Sequence, residues 1–398
     1  MHTTEHITGS DYSTGQGPAS AALKRAFNLC LHKTRGSIKR LADEPKSAAW
    51  ASDGNYFNCN EGFYEIGNWT SSFFTGMALL AWRETKDKYF LQQTLRMAAA
   101  YVEKAFTKHR DTHHDIGFLY SLYSVGLFKL TNDKIHRETG LRAAEVLSRR
   151  FNEKGNFIRA WGRMDESESP IGKEMLRTDN MAIIDCLMNL PLLYWASSET
   201  GNQRYREIAI RHADMVLNYF IRLDGSVIHA LRFDLDTGAP EAVDNYCGFS
   251  KDSYWARGAA WAIYGFALSY GYTGIDKYRK AAVRLAKKFL EQLDEEWVPV
   301  WDFRLPPEMP PVRDASASAI VVCGLQELKR HQAADETLLN AKGRLLERIC
   351  QEDYLDDNPN YSGVLKSAYG DKPAYSSWGD YFLMEALDRE LHQGETFW

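Results

Sequence analysis

With 398 residues the chain can bury a large core, and length alone would allow roughly two or three domains. A formal net charge of -5, with 25% charged residues and no long basic block, excludes the electrostatic footprint of a nucleic-acid binder or of a protein held to an anionic membrane. The expected partner is therefore a small molecule or an oligosaccharide. Cys30, Cys59, Cys186, Cys247, Cys323 and Cys350 form no C-x-x-C pair. They read as buried hydrophobes or free thiols, which favours a reducing cytoplasm; a periplasmic location would need a leader removed beforehand.

In chain order, the opening "MHTTEHITGSDYSTGQGPAS" is polar and lacks the basic and apolar regions of a secretory signal, so residues 1–18 read as a flexible tail. A helix is expected near 19–43. A phrase then recurs: "TKDKYFLQQTLRMAAAYVEKAF" from 85, "TNDKIHRETGLRAAEVLSRRF" from 131, "TGNQRYREIAIRHADMVLNYF" from 200 and "TGIDKYRKAAVRLAKKFL" from 273. Each is a short polar turn followed by an amphipathic helix; in the last, Tyr278, Ala282, Leu285 and Phe289 form one stripe. Between the copies lie segments that are apolar nearly all round, such as "WTSSFFTGMALLAW", "DIGFLYSLYSVGLFKL" and "WARGAAWAIYGFALSYGY", the pattern of buried helices.

A last surface helix near 335–351 brings the total to about twelve helices alternating between a buried and a surface type. That alternation fits an all-α fold, an (α/α)6 barrel, with residues 19–398 as one catalytic domain. Segments 154–178, 223–254 and 294–312 hold most of the turn residues and are expected as loops or short strands over one mouth. The longest apolar stretch, "LMNLPLLYWA" at 187–196, is interrupted by Asn189 and Pro191 and is too short to span a membrane.

The buried helices begin with Trp69, Asp115, Asp179, Trp255 with Arg257, Arg313 with Asp314, and Trp378 with Asp380. Gathered at one end, these would line an aromatic and acidic cavity suited to sugars, whose rings present apolar C–H faces and hydroxyl edges. Asp115 can be read as a helix cap or as a catalytic acid. Asp185, in "AIIDCLMNLPLL", is expected inside an apolar helix, where an ionised carboxylate is costly unless paired; it reads either as a partner of an arginine or as an acid of shifted pKa. His113, His114 and Asp115 raise the question of a metal, but adjacent residues rarely point at one ion and no H-E-x-x-H or EF-hand spacing occurs, so no metal and no cofactor are expected.

The ordered motifs "HHDIGFLYS", "IIDCLMNLPLL", "WARGAAWAIYGFAL", "VWDFRLP", "RDASASAIVVCGL" and "WGDYFLMEAL" resemble the unsaturated glucuronyl hydrolases of glycoside hydrolase family 88, over about residues 60–390. The resemblance implies an (α/α)6 barrel. It also implies release of the 4,5-unsaturated uronic acid from the non-reducing end of oligosaccharides made by polysaccharide lyases, glycosaminoglycan fragments among them. Carried over, Asp185 is the proton donor to C4 of the vinyl ether and Asp115 the second essential acid. His114, Trp69, Trp161, His229, Trp255, Arg257 and Trp261 match the lining of the sugar subsites.

Two departures stand out. Where many members read "HQG" and "RGQAW", this chain has Tyr246, Cys247 and Gly248, and Ala259 in "RGAAW"; Cys247 thus replaces a glutamine that contacts the sugar. The S-x-x-S-x-K pattern of members acting on sulfated fragments is kept at Ser367 and Lys372, with Gly370 in the middle position. Competing expectations are an unsaturated rhamnogalacturonyl or other lyase-product hydrolase, a sugar epimerase, and a non-catalytic saccharide-binding protein.

Overall fold

A computed structural model describes residues 18–57, 64–171 and 174–398. Helices of two kinds alternate along it. The outer α1 (Pro18–Asp43) leads to the inner α2 (Ser71–Thr85), and the outer α3 (Lys88–Leu95) and α4 (Ala98–Phe106) follow as one broken helix. The next inner helix is α5 (Ile116–Tyr120), continued through a π-helical turn at Ser121–Val125 into α6 (Gly126–Thr131). Then come outer α7 (Lys134–Ser148), inner α8 (Leu190–Thr200), outer α9 (Gln203–Tyr219), inner α10 (Ala256–Thr273), outer α11 (Asp276–Leu290), inner α12 (Ala315–Arg330), outer α13 (Glu336–Ile349) and inner α14 (Ser377–His392). Each inner helix packs on the next, and α14 closes the ring on α2. This is the (α/α)6 barrel that the alternation predicts. Residues 1–17 of the expected tail lie outside the described residues, as does Cys59, and Pro18 already belongs to α1.

The recurring phrase has a physical cause. Inner helices end on a left-handed residue, Lys86 (φ 56°), Asn132 (φ 58°), Gly201 (φ 74°) or Gly274 (φ 68°). The threonine before each, Thr85, Thr131, Thr200 or Thr273, accepts a hydrogen bond at Oγ1 from the amide two residues on, at 3.2 Å in every case. Asp87, Asp133 and Asn202 then cap the next outer helix by accepting from Tyr89, Ile135 and Arg204 amides. Three residues thus end one helix, reverse the chain and start the next.

The inner helices are buried on every side: α12 is buried from Ala315 to Leu328 and α10 from Ala256 to Ser269. Where they touch, side chains must vanish; a Cβ at Gly265 would stand 2.5 Å from Leu187 Cβ. Of the short strands, the hairpin Glu168–Ile171 with Glu174–Arg177 and the pair Ala230–Phe233 with Pro240–Asp244 fall in the expected segments, whereas Met181–Ile183, which joins that pair as a third strand, and the two-residue strands at Lys46–Ser47, Trp50–Ala51, Tyr64–Glu65, Phe151–Asn152 and Tyr375–Ser376 lie outside them, and 294–312 carries only isolated bridges. No helix among the described residues is long and apolar enough to cross a membrane.

Candidate active site

Asp185 occupies a 3₁₀ turn, Ile184–Met188, that opens α8. It does not lie in a regular apolar helix as expected from the sequence; the strand Met181–Ile183 delivers it from the mouth sheet. The same sheet fixes its neighbour, because Ile184 N donates to His229 O at 2.9 Å, and His229 Nε2 stands 3.7 Å from Asp185 Oδ2. Tyr246 N donates to His229 Nδ1 at 2.9 Å, so the neutral ring carries its proton on Nε2, toward the carboxyl. Trp261 Nε1, fully buried, faces the same carboxyl without closing a well-formed hydrogen bond. Burial first, and the charge of Asp115 second, push the Asp185 carboxyl up to about 7. The arginine partnership considered for Asp185 is absent among its contacts; Arg257 is near enough only to moderate the shift.

Asp115 stands at the start of α5 with helical φ and ψ, and its side chain makes no capping hydrogen bond. The capping role is therefore not the one it plays. Its two oxygens face imidazoles instead, Oδ2 at 2.9 Å from His113 Nδ1 and Oδ1 at 3.3 Å from His114 Nε2. Burial alone would raise its pKa, but His114, His113 and Asn189 together outweigh that and hold it below the ordinary carboxylate range. Burial lowers His114 to about 4, against the pull of Asp115, and lowers His229 to about 3, with Arg257 acting in the same direction. Two neighbouring carboxyls are thus driven apart, one ionised and one protonated near neutrality. The ligand atoms of His113, His114 and Asp115 do converge within 4.8 Å, against the expectation that adjacent residues would not.

Aromatic rings close the site. Trp161 lies edge-on to His114, His229 and Tyr246 at 6.3, 6.2 and 5.3 Å between ring centroids. Trp255 packs on His229 at 5.1 Å, Trp69 stacks on Trp378 at 4.9 Å, and Phe118 joins Trp69 to Trp261. Arg257, in the first turn of α10, lies over Trp255 and Trp378 and gives Nη1 to Asp314 and to Tyr369 O. Cys247 is open to solvent at the wall of this hollow.

Other expected positions fall elsewhere. Ser367 and Lys372 lie on the loop before α14, which is tied to the centre through Ser367 O, accepting from Ala315 N at 2.7 Å, and through Tyr369 O, accepting from Arg257 Nη1. Lys372 is exposed, its Nζ 4.9 Å from the Trp50 ring centroid. Arg313 turns away to Asp294 and Val298 O, and Asp179 to Arg177. Asp380 lies behind the cavity, accepting from Val364 N, Leu365 N and Tyr56 OH.

Sequence reasoning missed the supports. Arg150 donates to the carbonyls of Thr112, Arg159, Ala160, Trp161 and Gly162, and so holds the Trp161 loop against the start of α5. Asn189 Oδ1 accepts from Phe118 N at 2.8 Å, in space that a Cβ on Gly117 would fill. Asp302 receives the amides of Phe249, Tyr254 and Arg304 and pins the Cys247 loop. A buried arginine or aspartate in a turn-rich segment was the one available signal.

A barrel of paired helices whose mouth holds two carboxyls of opposite protonation among aromatic faces defines a glycoside hydrolase. The family model of Glycosyl Hydrolase Family 88 matches residues 39–385, and the chain belongs to that family. It is 33% identical to the unsaturated glucuronyl hydrolase of Bacillus sp. (strain GL1), over 94% of this chain and 98% of the relative. It is also 33% identical to an unsaturated chondroitin disaccharide hydrolase of Streptococcus pyogenes serotype M1, over 94% and 93%. The crystal structure of the unsaturated glucuronyl hydrolase from Bacillus sp. GL1, described as responsible for the degradation of glycosaminoglycan, superposes with a TM-score of 0.82 at 31% identity, covering 93% of this chain and 97% of that one.

Proposed function

We propose that this chain removes the 4,5-unsaturated uronic acid from the non-reducing end of oligosaccharides generated by polysaccharide lyases, with residues 19–398 acting as one catalytic unit. The observation that carries the reading is the Asp185 carboxyl, nearly buried, held near a pKa of about 7, with Oδ2 unpartnered 3.7 Å from His229 Nε2 and the charge of Asp115 nearby. A proton donor is then present at neutral pH where an ordinary carboxyl would be ionised.

In this mechanism Asp185 gives its proton to C4, and positive charge develops at C5 and the ring oxygen. Asp115, ionised and close by, stabilises that charge. Water adds to C5 and passes its proton to Asp185, which restores the acid. The C5 hemiketal opens to a ketone by breaking the bond to the ring oxygen, and the hemiacetal left at C1 expels the next sugar as an alcohol. His114 and His229, neutral at working pH, act as hydrogen-bonding groups rather than as acids. Trp69 and Trp161, partly exposed, wall the sugar ring, with Trp255 and Trp261 packed behind the reacting groups. Arg257, with Nη1 already engaged, meets the substrate carboxylate through the rest of its planar fork.

Glycosaminoglycan fragments are the preferred substrate class on the strength of the relatives, with Cys247 altering the wall that a glutamine forms in many members. Sulfate recognition through Ser367 and Lys372 would be abandoned if sulfated and unsulfated substrates gave equal kinetics in the wild type and in Lys372→Ala. A cytoplasmic setting agrees with the free thiols of Cys30, Cys186, Cys247, Cys323 and Cys350. The test is incubation with a panel of lyase-generated unsaturated disaccharides, following the ultraviolet absorbance of the conjugated uronate. Loss on one substrate names the polysaccharide; no loss on any overturns the reading.

A further inference from the structure

At the end of the barrel away from Asp185, the last inner helix packs back on the first. There α14 carries Asp388 and His392 one turn apart on one face, and α2 brings Glu84 in its last turn. His392 lies between the two carboxylates, with Nε2 3.4 Å from Glu84 Oε1 and Nδ1 3.6 Å from Asp388 Oδ1. One ligand atom from each of the three residues lies within 4.8 Å of the others. Glu84 and His392 are open to solvent, whereas the Asp388 side chain is only 1% exposed.

Asp388 is the telling member. Its Oδ2 is taken by Arg83, and Gly394 lies so close on that side that a Cβ there would not fit. Its Oδ1, the atom turned toward His392, has no hydrogen-bond partner. A buried carboxylate oxygen left in that state is costly unless something else completes it. Arg83 balances one of the two carboxylates, so with a neutral imidazole the cluster keeps a negative charge. Phe27 meets the His392 ring edge-on at 4.9 Å and holds it on this seam. One imidazole and two carboxylates suit a divalent transition metal, whereas Mg²⁺ and Ca²⁺ favour sets made of oxygen alone.

We infer that Glu84, Asp388 and His392 form a binding site for a divalent transition-metal ion such as Zn²⁺, which staples α14 to α2 where the ring closes. Water completes the coordination on the solvent side. The site lies outside the catalytic mouth, and the inference goes beyond the proposed reaction, whose success or failure leaves it untouched.

The test titrates the metal-free full chain with Zn²⁺ by calorimetry and follows thermal melting with Zn²⁺ or Mg²⁺, in the wild type, Glu84→Gln and His392→Ala. Both substituted side chains are exposed, so both variants should fold as the wild type does, checked by circular dichroism. The wild type should bind Zn²⁺ saturably and melt about 3 °C higher at a hundred times the dissociation constant, reversibly with a chelator, and Mg²⁺ should give no rise. In each variant the dissociation constant should increase about ten-fold or more, and the rise in melting temperature should shrink with it. Absence of saturable binding, or a loss confined to one variant, would overturn the three-residue site. Zinc binding that survives both substitutions, as it would if held by His113 and His114 of the mouth, would overturn it equally and leave His392 as an ion-pair partner.

Discussion

The two ends of the barrel handle buried polarity in opposite ways. At the closed end, charged groups answer one another: Glu385 accepts from Tyr264 OH, Tyr381 OH and Trp398 Nε1, Arg389 pairs with Glu327, Arg83 with Asp388, and Lys342 with Glu390. Asp388 Oδ1, Gln326 Oε1 and Ser269 Oγ there lack a hydrogen-bond partner, but the larger group is at the mouth, where Asp185 Oδ2, His229 Nε2, both nitrogens of His114, Trp255 Nε1 and Trp261 Nε1 are buried without one. Buried polar groups in a stable fold are paired, so a concentration of unpaired ones marks a surface made for something else to complete. Asp380 sharpens the lesson. Burial pushes it, like Asp185, up to about 7, yet both its oxygens are taken by protein donors. A shifted pKa alone does not separate the two carboxyls; what does is that Asp185 keeps an oxygen unpartnered beside Asp115 and the aromatic rings of the mouth.

The strongest way to break this contrast is Asp185→Asn. Turnover should fall by about a thousand-fold, because general acid catalysis is lost, while thermal stability should hold or rise. The sign follows from linkage. The folded-state pKa of about 7 lies above the unfolded value of about 3.9, so the stability that Asp185 contributes is complete below the lower value and lost as pH rises through the upper one. The gain in melting temperature of the variant should therefore grow between those two values and level off above. Full turnover in Asp185→Asn would refute the mechanism.

At the other end the effects should be exchanged. Glu385→Ala strands two phenols and an indole, leaves Arg389 with Glu327 alone, and should cost about 3 kcal/mol in urea unfolding while kcat of the folded enzyme changes little. Lower turnover at unchanged stability would erase the distinction between the two ends. Arg257→Lys keeps the charge but loses the planar fork; KM should rise about ten-fold with a smaller change in kcat. The smallest effect concerns the coupling of the acids. Since protonated Asp185 is the working form, kcat should decline as pH rises through about 7. In Asp115→Asn the charge that helps raise Asp185 is gone, and the alkaline limb of the residual activity should move to lower pH. A limb that stays in place would show that burial alone sets the acid.

Much of this site was legible because its residues break local rules. An aspartate in "AIIDCLMNLPLL" is conspicuous wherever the backbone takes it, so Asp185 could be singled out although the run begins as a 3₁₀ turn. Asp115 offered two readings, since an aspartate ahead of an apolar helix fits a cap as well as an acid; the imidazoles on its two oxygens separate them. Arg313, Asp179 and Asp380 were placed in the cavity because they begin inner helices, but the start of a helix fixes only which end a residue occupies and not the direction of its side chain. Arg150, Asn189 and Asp302 were missed because their work is done through backbone groups far along the chain, which leave no periodic trace.

By itself the sequence determined the ring architecture. Whether a helix is apolar all round or on one stripe decides its layer, and the Thr and left-handed residue at four junctions, followed by a capping Asp or Asn at three of them, decide where the chain turns. Only the tertiary structure decided which acid is protonated. That depends on desolvation and on the charge of a carboxyl from another inner helix, and such terms exist only once the barrel has closed around them.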